Sequence, residues 1–327
     1  MSEKILQIRH LNTSFFTRKG EVPAARDICL EVHSGQIVGV VGESGCGKSV
    51  TARSVMGLVK YPGKVVSGEI LLDGRQMTGI SEKEACSLRG SEVSMIFQEP
   101  MTSLNPVIRI GKQVEEALLL HKKISKAEAK RQTAQMLEKV GISDVENRME
   151  CYPHQLSGGL RQRVMIAMAM ICSPKLLIAD EPTTALDVTV EAQILRLMKK
   201  LCEAGTSILL ISHNLGVIAQ ICDYVYIMYA GRIVEQADTC TLFDHPLHPY
   251  TKGLFGAARS LRSDAQVLDI IPGVVPNLLH LPKGCSFSPR CGQCMERCPD
   301  EMPDMTAGEE KGHMVRCFLA ENGTEGE

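Results

Sequence analysis

A basic excess is missing from this 327-residue chain: Lys and Arg number 36 against 38 Asp and Glu, a formal charge of -2. A protein that grips a phosphate backbone normally shows such an excess or a basic stripe, so nucleic acid is not an expected partner. Also missing is any run approaching the 18 apolar residues that a membrane helix needs. The opening MSEKILQIRH lacks the apolar core of a signal peptide. These absences lead to the expectation of a cytosolic protein that reaches a membrane only through a partner. There is no internal repeat and no low-complexity tract. At this length the chain buries a sizeable core, as one large domain plus a smaller unit or as two domains.

Cysteine, in contrast, is plentiful, with 13 in all. Eight of them, from Cys29 to Cys240, are scattered singly in apolar contexts such as AMAMICSP and VIAQICDYV, where a free thiol behaves as a small hydrophobe. The other five cluster in GCSFSPRCGQCMERCPD, residues 284–300, and in the later VRC that ends at Cys317. In a reducing compartment disulfides are improbable, which leaves metal binding or catalysis for the cluster. The run C-x2-C-x3-C-P at Cys291, Cys294, Cys298 and Pro299 copies the end of a bacterial ferredoxin motif, but the cysteine needed three places earlier is Ser288. Soft thiolates suit zinc or an iron–sulfur cluster, and unligated thiols in a folded loop are the third reading. Either metal would fold a proline-rich segment short of apolar residues.

Short apolar runs punctuate the first 240 residues: QIVGVVG (36–42), SMIFQ (94–98), KLLIAD (175–180) and SILLIS (207–212). Their continuous apolarity predicts strands of a sheet covered on both faces. Val190, Ile194, Leu197 and Leu201 recur at helical spacing, and Gly205 then suits a C-terminal cap. Strand and helix alternate, which predicts an α/β core with a doubly wound sheet. Residues from about 99 to 173 are almost wholly helix-forming and predict an inserted helical subdomain. After Ala237 the texture turns proline-rich, so the boundaries read as 1–237 and an appended 238–327.

The stretch GESGCGKS fits the phosphate-binding pattern G-x-x-x-x-G-K-[ST] at a strand-to-helix junction. Gly42, Ser44, Gly45, Cys46, Gly47, Lys48, Ser49 and Val50 form this cradle, in which backbone N–H groups face phosphate, Lys48 reaches the terminal phosphates and the Ser49 hydroxyl takes Mg²⁺. Asp180 closes a buried strand and suits Mg²⁺ through water, while Glu181 suits the polarisation of an attacking water. Taken alone, two acidic residues at a strand end are ordinary capping or turn residues; beside a phosphate loop the catalytic reading prevails. Ser157, Gly158 and Gly159 precede a helix and offer its positive end to a γ-phosphate, although a simple N-cap by Ser157 explains the serine as well. Met165, Met168 and Met170 read as core filler.

These motifs, with IFQEP, ADEPTTALD and ISHN in the same order, resemble the ATPase subunits of ATP-binding-cassette transporters, a likeness that extends through both termini. The resemblance implies a P-loop NTPase cassette over 1–237 and ATP sandwiched between the phosphate loop of one subunit and the signature helix of another. It further implies that Gln98 ligates Mg²⁺ and senses membrane subunits, that His213 contacts the γ-phosphate, and that Asp187 communicates across the dimer. An aromatic in SFFTRKG, Phe15 or Phe16, would stack on adenine. Asn214 stands where the family usually has Asp, and Cys46 places a thiol in the phosphate loop that invites alkylation.

HPLHPYTKGL, IPGVVPNL and LPKGCSFSPRC resemble the extension of ATPases serving peptide, nickel and opine importers. That likeness selects Cys285, Cys291, Cys298 and Cys317 as ligands of a [4Fe–4S] cluster, with zinc as the rival and Cys294 as an extra thiol or a substitute ligand. It favours a structural loop for His245 and His248 over metal binding. The implied partners are a second, paralogous ATPase, two transmembrane permease subunits and an external binding protein, at the cytoplasmic face of a membrane. A soluble cassette ATPase of translation or repair, or a metal or redox sensor, are the alternatives.

Overall fold

A computed structural model describes residues 3–98, 103–184, 186–260 and 271–321. Position 99, where the expected helical stretch begins, lies outside the described residues. Contacts divide the chain into two compact units, one of Met1–Ile5, Val32–Ile37 and Gly79–Ile211, the other of Leu6–Glu31, Val38–Thr78 and Ser212–Glu327.

In chain order the elements begin with β1 (Lys4–Thr17), β2 (Gly20–His33), β3 (Ile37–Val41), α1 (Lys48–Val55), β4 (Gly63–Leu72) and β5 (Arg75–Gln76). Next come α2 (Glu82–Leu88), β6 (Val93–Ile96), α3 (Ile110–His121), α4 (Lys126–Lys139), α5 (Val145–Glu150) and α6 (Gly158–Met170). They are followed by β7 (Leu176–Asp180), α7 (Val188–Glu203), β8 (Ser207–Ser212), α8 (Leu215–Ile221), β9 (Tyr224–Tyr229) and β10 (Arg232–Asp238). The last are α9 (Thr239–Asp244), α10 (Pro249–Ser260), β11 (Thr306–Ala307), β12 (Met314–Val315) and α11 (Phe318–Glu321).

In the first unit β6, β7 and β8 run parallel, with Val93 opposite Leu176 and Leu176 opposite Ser207. Every residue of β7 is buried, which is why its sequence does not alternate. Between β6 and β7 the described residues form helices α3 to α6 and no strand. Their starts are written locally: Ser125 accepts the Glu128 N–H ahead of α4, and Ser81 with Glu84 makes a reciprocal capping box at α2. Helix α7 buries Ile194, Leu195, Leu197, Met198 and Cys202 on one stripe. Gly205 follows its end with φ of 104°.

In the second unit β3 pairs in parallel with β9, Val38 opposite Tyr224. Antiparallel pairings then join β9 to β10, β10 to β12 and β12 to β11, so the proline-rich tail contributes two short strands to a sheet. These antiparallel additions to the parallel strands were not foreseen in the sequence. A separate antiparallel sheet has the order β2-β1-β4-β5, with Leu6 opposite Leu72 and Phe15 opposite Gly63. Its 14-residue strands escaped the sequence reading because β1 changes phase. Leu6 and Ile8 are buried, the register shifts between Arg9 and Asn12 where His10 has φ of 48°, and Leu11 and Thr13 are buried beyond it.

Candidate functional site

The phosphate-loop motif occupies the junction its chemistry requires: Gly42 follows β3, and Lys48 opens α1. Two of its glycines are dictated by close backbone approach. A Cβ on Gly42 would lie 2.1 Å from the Met228 carbonyl oxygen, and one on Gly47, where φ is 105°, would lie 2.1 Å from that of Ala24. No other residue fits at either place without displacing main chain. Gly47 precedes α1 without any side-chain cap bond, so no capping side chain stands at the positive end of the helix. Lys48 is buried, and its Nζ donates to the carbonyls of Gly42 at 2.6 Å and Glu43 at 3.0 Å, which holds the ammonium over the loop. Ser44 and Gly45 are exposed, and Ser49 and Val50 are half-buried in the first turn of α1.

Cys46 is 1% exposed, with Sγ 3.7 Å from Lys48 Nζ. Burial pushes its thiol up, against the opposing pull of Lys48. The thiol is thus enclosed, which corrects the expectation that it invites alkylation.

At the end of β7, Asp180 is 1% exposed and Glu181 adopts φ of 48°, a left-handed backbone unusual outside glycine. The Glu181 N–H donates to the Ile211 carbonyl at 2.9 Å, which pins the turn. Its carboxylate accepts from Gln98 Nε2 at 2.8 Å and from Thr184 Oγ1 at 3.0 Å. The structure thereby joins Gln98 to Glu181, two residues whose roles were read separately. Thr184 was missed, although it stands three places after the glutamate in ADEPTT.

Ser157 and Asp187 are both helix caps. Ser157 Oγ accepts the Leu160 N–H at 3.4 Å ahead of α6, and Asp187 Oδ1 accepts the Val190 N–H at 2.9 Å ahead of α7. Ser157 and Gly158 are exposed, so the start of α6 is open to a ligand or a partner. A Cβ on Gly159 would sit 2.9 Å from Val190 Cγ1, which ties the signature turn to the start of α7. His213 is exposed one residue past β8, and Asn214 caps α8 by accepting the Gly216 N–H at 3.0 Å. Asparagine therefore serves here as aspartate would. Phe15 is half-buried, and its ring would meet a Cβ on Gly63 at 2.7 Å; Phe16 is 48% exposed.

Four of the clustered cysteines, Cys285, Cys291, Cys298 and Cys317, are half-buried, and the Met295 N–H donates to Cys298 Sγ at 3.3 Å. Cys294 is exposed, and its thiol instead donates to the Met295 carbonyl at 3.6 Å. Burial first, then the neighbouring sulfurs, pushes Cys285 up to about 11 and raises Cys291 and Cys317. Together these groups resist ionising unless a cation joins them. Among the described residues no three of these sulfurs lie within 4.8 Å of one another. The group that does meet that spacing, His10, Asp27 and Cys29, was not foreseen. There Asp27 Oδ1 lies 2.7 Å from His10 Nδ1, while Arg232 and Arg316 hold its other oxygen at 3.3 and 3.5 Å. His248 is buried and lowered to about 4 by desolvation, accepting the Tyr250 N–H on Nδ1, whereas His245 is exposed and 3.8 Å from Glu310.

Residues 25–184 match the family described as ABC transporter, and residues 234–298 match the oligopeptide/dipeptide transporter C-terminal region. The oligopeptide transport ATP-binding protein AppD of Bacillus subtilis is 49% identical over 97% of both chains. The oligopeptide transport ATP-binding protein OppD of Salmonella typhimurium is 49% identical over 91% of this chain and 89% of its own. This chain belongs to the ABC transporter ATPases, in their oligopeptide/dipeptide branch. Among solved structures, cbiO1 of Clostridium perfringens is 27% identical over 74% of this chain and 92% of its own, with a TM-score of 0.64. A bacterial ABC transporter cassette solved as a dimer is 24% identical over 72% of this chain and 98% of its own, with a TM-score of 0.65, which establishes the same fold. Among the described residues no helix of this ABC ATPase is long and apolar enough to cross a membrane.

The bonds at Glu181 generate a direct expectation. Glu181→Gln should leave ATP binding intact while lowering hydrolysis by about 10² to 10⁴, the worth of one positioned acid or base group. Steady-state turnover and equilibrium binding of a fluorescent ATP analogue check it; turnover within a few-fold of the native protein would remove Glu181 from the chemistry.

Proposed function

We propose that this chain is the ATP-hydrolysing subunit of a peptide importer, coupling ATP binding and hydrolysis to uptake through partner membrane subunits. The observation that carries the proposal is the match over nearly the whole chain, cassette and extension together, to proteins named for oligopeptide transport. The chain's own residues supply the required chemistry. Lys48 neutralises the terminal phosphates from its perch over the loop. Ser49, Asp180 and Gln98 are hard oxygen donors suited to Mg²⁺, which when bound supplies positive charge to the β- and γ-phosphate oxygens. Glu181, whose Oε2 accepts from both Gln98 and Thr184, aims its carboxylate at the attacking water, and His213 contacts the γ-phosphate. Phe15 or its neighbour Phe16 stacks on adenine.

The exposed signature turn supports closure in trans, with Ser157, Gly158 and Gly159 meeting the ATP held by a second, paralogous ATPase and Asp187 spanning the pair. Two transmembrane permease subunits and an external binding protein complete the assembly, at the cytoplasmic face of the membrane. No nucleic acid enters this scheme. The domain reading is a cassette over 1–237, with a helical subdomain at about 99–173, and an extension over 238–327.

In that extension Cys285, Cys291, Cys298 and Cys317 hold a metal centre; their half-buried setting supports this choice over the exposed Cys294. Zinc bound at about 2.3 Å by four thiolates would draw them to within roughly 4 Å of one another. A [4Fe–4S] cluster on these four thiolates is the reading preferred here, with zinc as its rival.

Two measurements address these readings. Ser157→Arg should abolish hydrolysis by the assembled transporter while the isolated subunit still binds nucleotide; equal loss of both would reduce Ser157 to a cap. Iron, sulfide and zinc analysis after anaerobic purification should find iron and sulfide, lost from Cys317→Ser and retained by Cys294→Ser. Stoichiometric zinc in a colourless protein would exclude the cluster.

A further inference from the structure

A long-range polar contact in the second unit reaches the phosphate loop. Arg290, whose side chain is 5% exposed, pairs with Glu43 through both arms of its fork, Nη1 to Oε2 at 2.7 Å and Nη2 to Oε1 at 3.1 Å. The two residues are 247 positions apart in the chain. A bidentate arginine–carboxylate pair is among the strongest and most directional contacts available to side chains. The rest of the guanidinium is also committed: Nε donates to the Pro272 carbonyl at 2.8 Å and Nη1 to the Tyr229 hydroxyl at 3.4 Å. Arg290 is therefore aimed at Glu43 from a fixed seat.

Glu43 is gripped at three points. Besides the carboxylate, its N–H donates to the hydroxyl of the fully buried Tyr250 at 3.0 Å, and its carbonyl accepts from Lys48 Nζ. Tyr250 and Arg290 both belong to the extension, so two of the three grips come from outside the nucleotide motif. Arg290 also ends the tight turn Ser288–Arg290, which lies between Cys285 and Cys291. That turn is closed by the Ser288 N–H on the Cys285 carbonyl at 3.0 Å, and Cys285 is bonded in turn to the Cys298 carbonyl at 2.7 Å.

The charges make sense of the arrangement. A loop that must receive a polyanion carries its own carboxylate, and an unpaired Glu43 would repel phosphate in the site where low dielectric strengthens the effect. We infer that Arg290 is a positioning residue for ATP binding: it neutralises and orients Glu43, and through this latch the cysteine segment sets the affinity of the phosphate loop. The arginine latch stands on geometry alone, whereas its control by a metal rests on the metal centre proposed above. By linkage, whatever orders the cysteine segment then favours nucleotide, and nucleotide favours the ordered segment.

The test is a charge cycle in the full-length protein, read by equilibrium binding of a fluorescent ATP analogue, with circular dichroism and a thermal melt confirming the fold. Arg290→Met should weaken ATP binding by about tenfold or more, the usual effect of stranding one partner of a buried charge pair. Adding Glu43→Gln to it should recover binding to within about threefold of the native chain, since no bare carboxylate then faces the phosphates. Native affinity in Arg290→Met, or a double variant as weak as Arg290→Met, would overturn the latch. If Arg290→Met does not fold, Arg290→Lys with and without Glu43→Gln carries the same comparison. Chelation of bound metal should lower the native protein's ATP affinity by a comparable factor and leave the double variant unmoved. An unchanged affinity after verified metal loss would overturn the coupling and leave the latch intact, and absence of metal in the native protein would fall on the earlier reading instead.

Discussion

The close approach of main chain to main chain around the phosphate loop is the constraint on which the rest depends. Gly42 and Gly47 admit no side chain because the carbonyls of Met228 and Ala24 occupy that space. Those carbonyls belong to β9 and β2, so the loop's shape is set by strands far from it in sequence. A curve held by main-chain contacts of this kind is what preorganised electrostatic stabilisation requires. Lys48, bonded to two loop carbonyls, and Glu43, bonded by the extension, hold the same curve from inside and outside.

Much of this was legible in the sequence because it is local. The phosphate motif, the buried β7 and the stripe of α7 each follow from residue spacing, and the structure places them where that spacing says. The caps at Ser157 and Asp187 are equally local, one oxygen reaching the N–H three residues on. What escaped has physical reasons. The antiparallel sheet was hidden by a bulge at His10 that switches which residues of β1 face inward. Gln98 and Glu181 are 83 positions apart, and no pattern along the chain announces that they bond. Cys46 was misjudged because its exposure is decided by packing and not by its neighbours in sequence.

The chemistry divides between rigid and open elements. Lys48 and Asp180 are buried at the ends of strand and helix, as groups that hold charge in a defined place must be. Ser157, Gly158 and His213 are exposed, which suits groups completed only when a partner closes. The cysteine segment adds a third kind of element, a stretch with few apolar residues whose order comes from backbone bonds such as the Cys285 N–H on the Cys298 carbonyl, a latch to Glu43 and the buried contact of Glu235 with His313 at 2.8 Å. A small appendage without a large core of its own is the kind of structure that gains most from such staples.

The central claim is that hydrolysis on this chain serves transport, and it is tested most directly with the assembled transporter in proteoliposomes supplied with a peptide-loaded binding protein outside and ATP within. The account predicts ATP turnover that rises when the loaded binding protein is added, together with accumulation of labelled peptide in the lumen of the vesicle. Turnover indifferent to the binding protein, with no peptide accumulating, would contradict it.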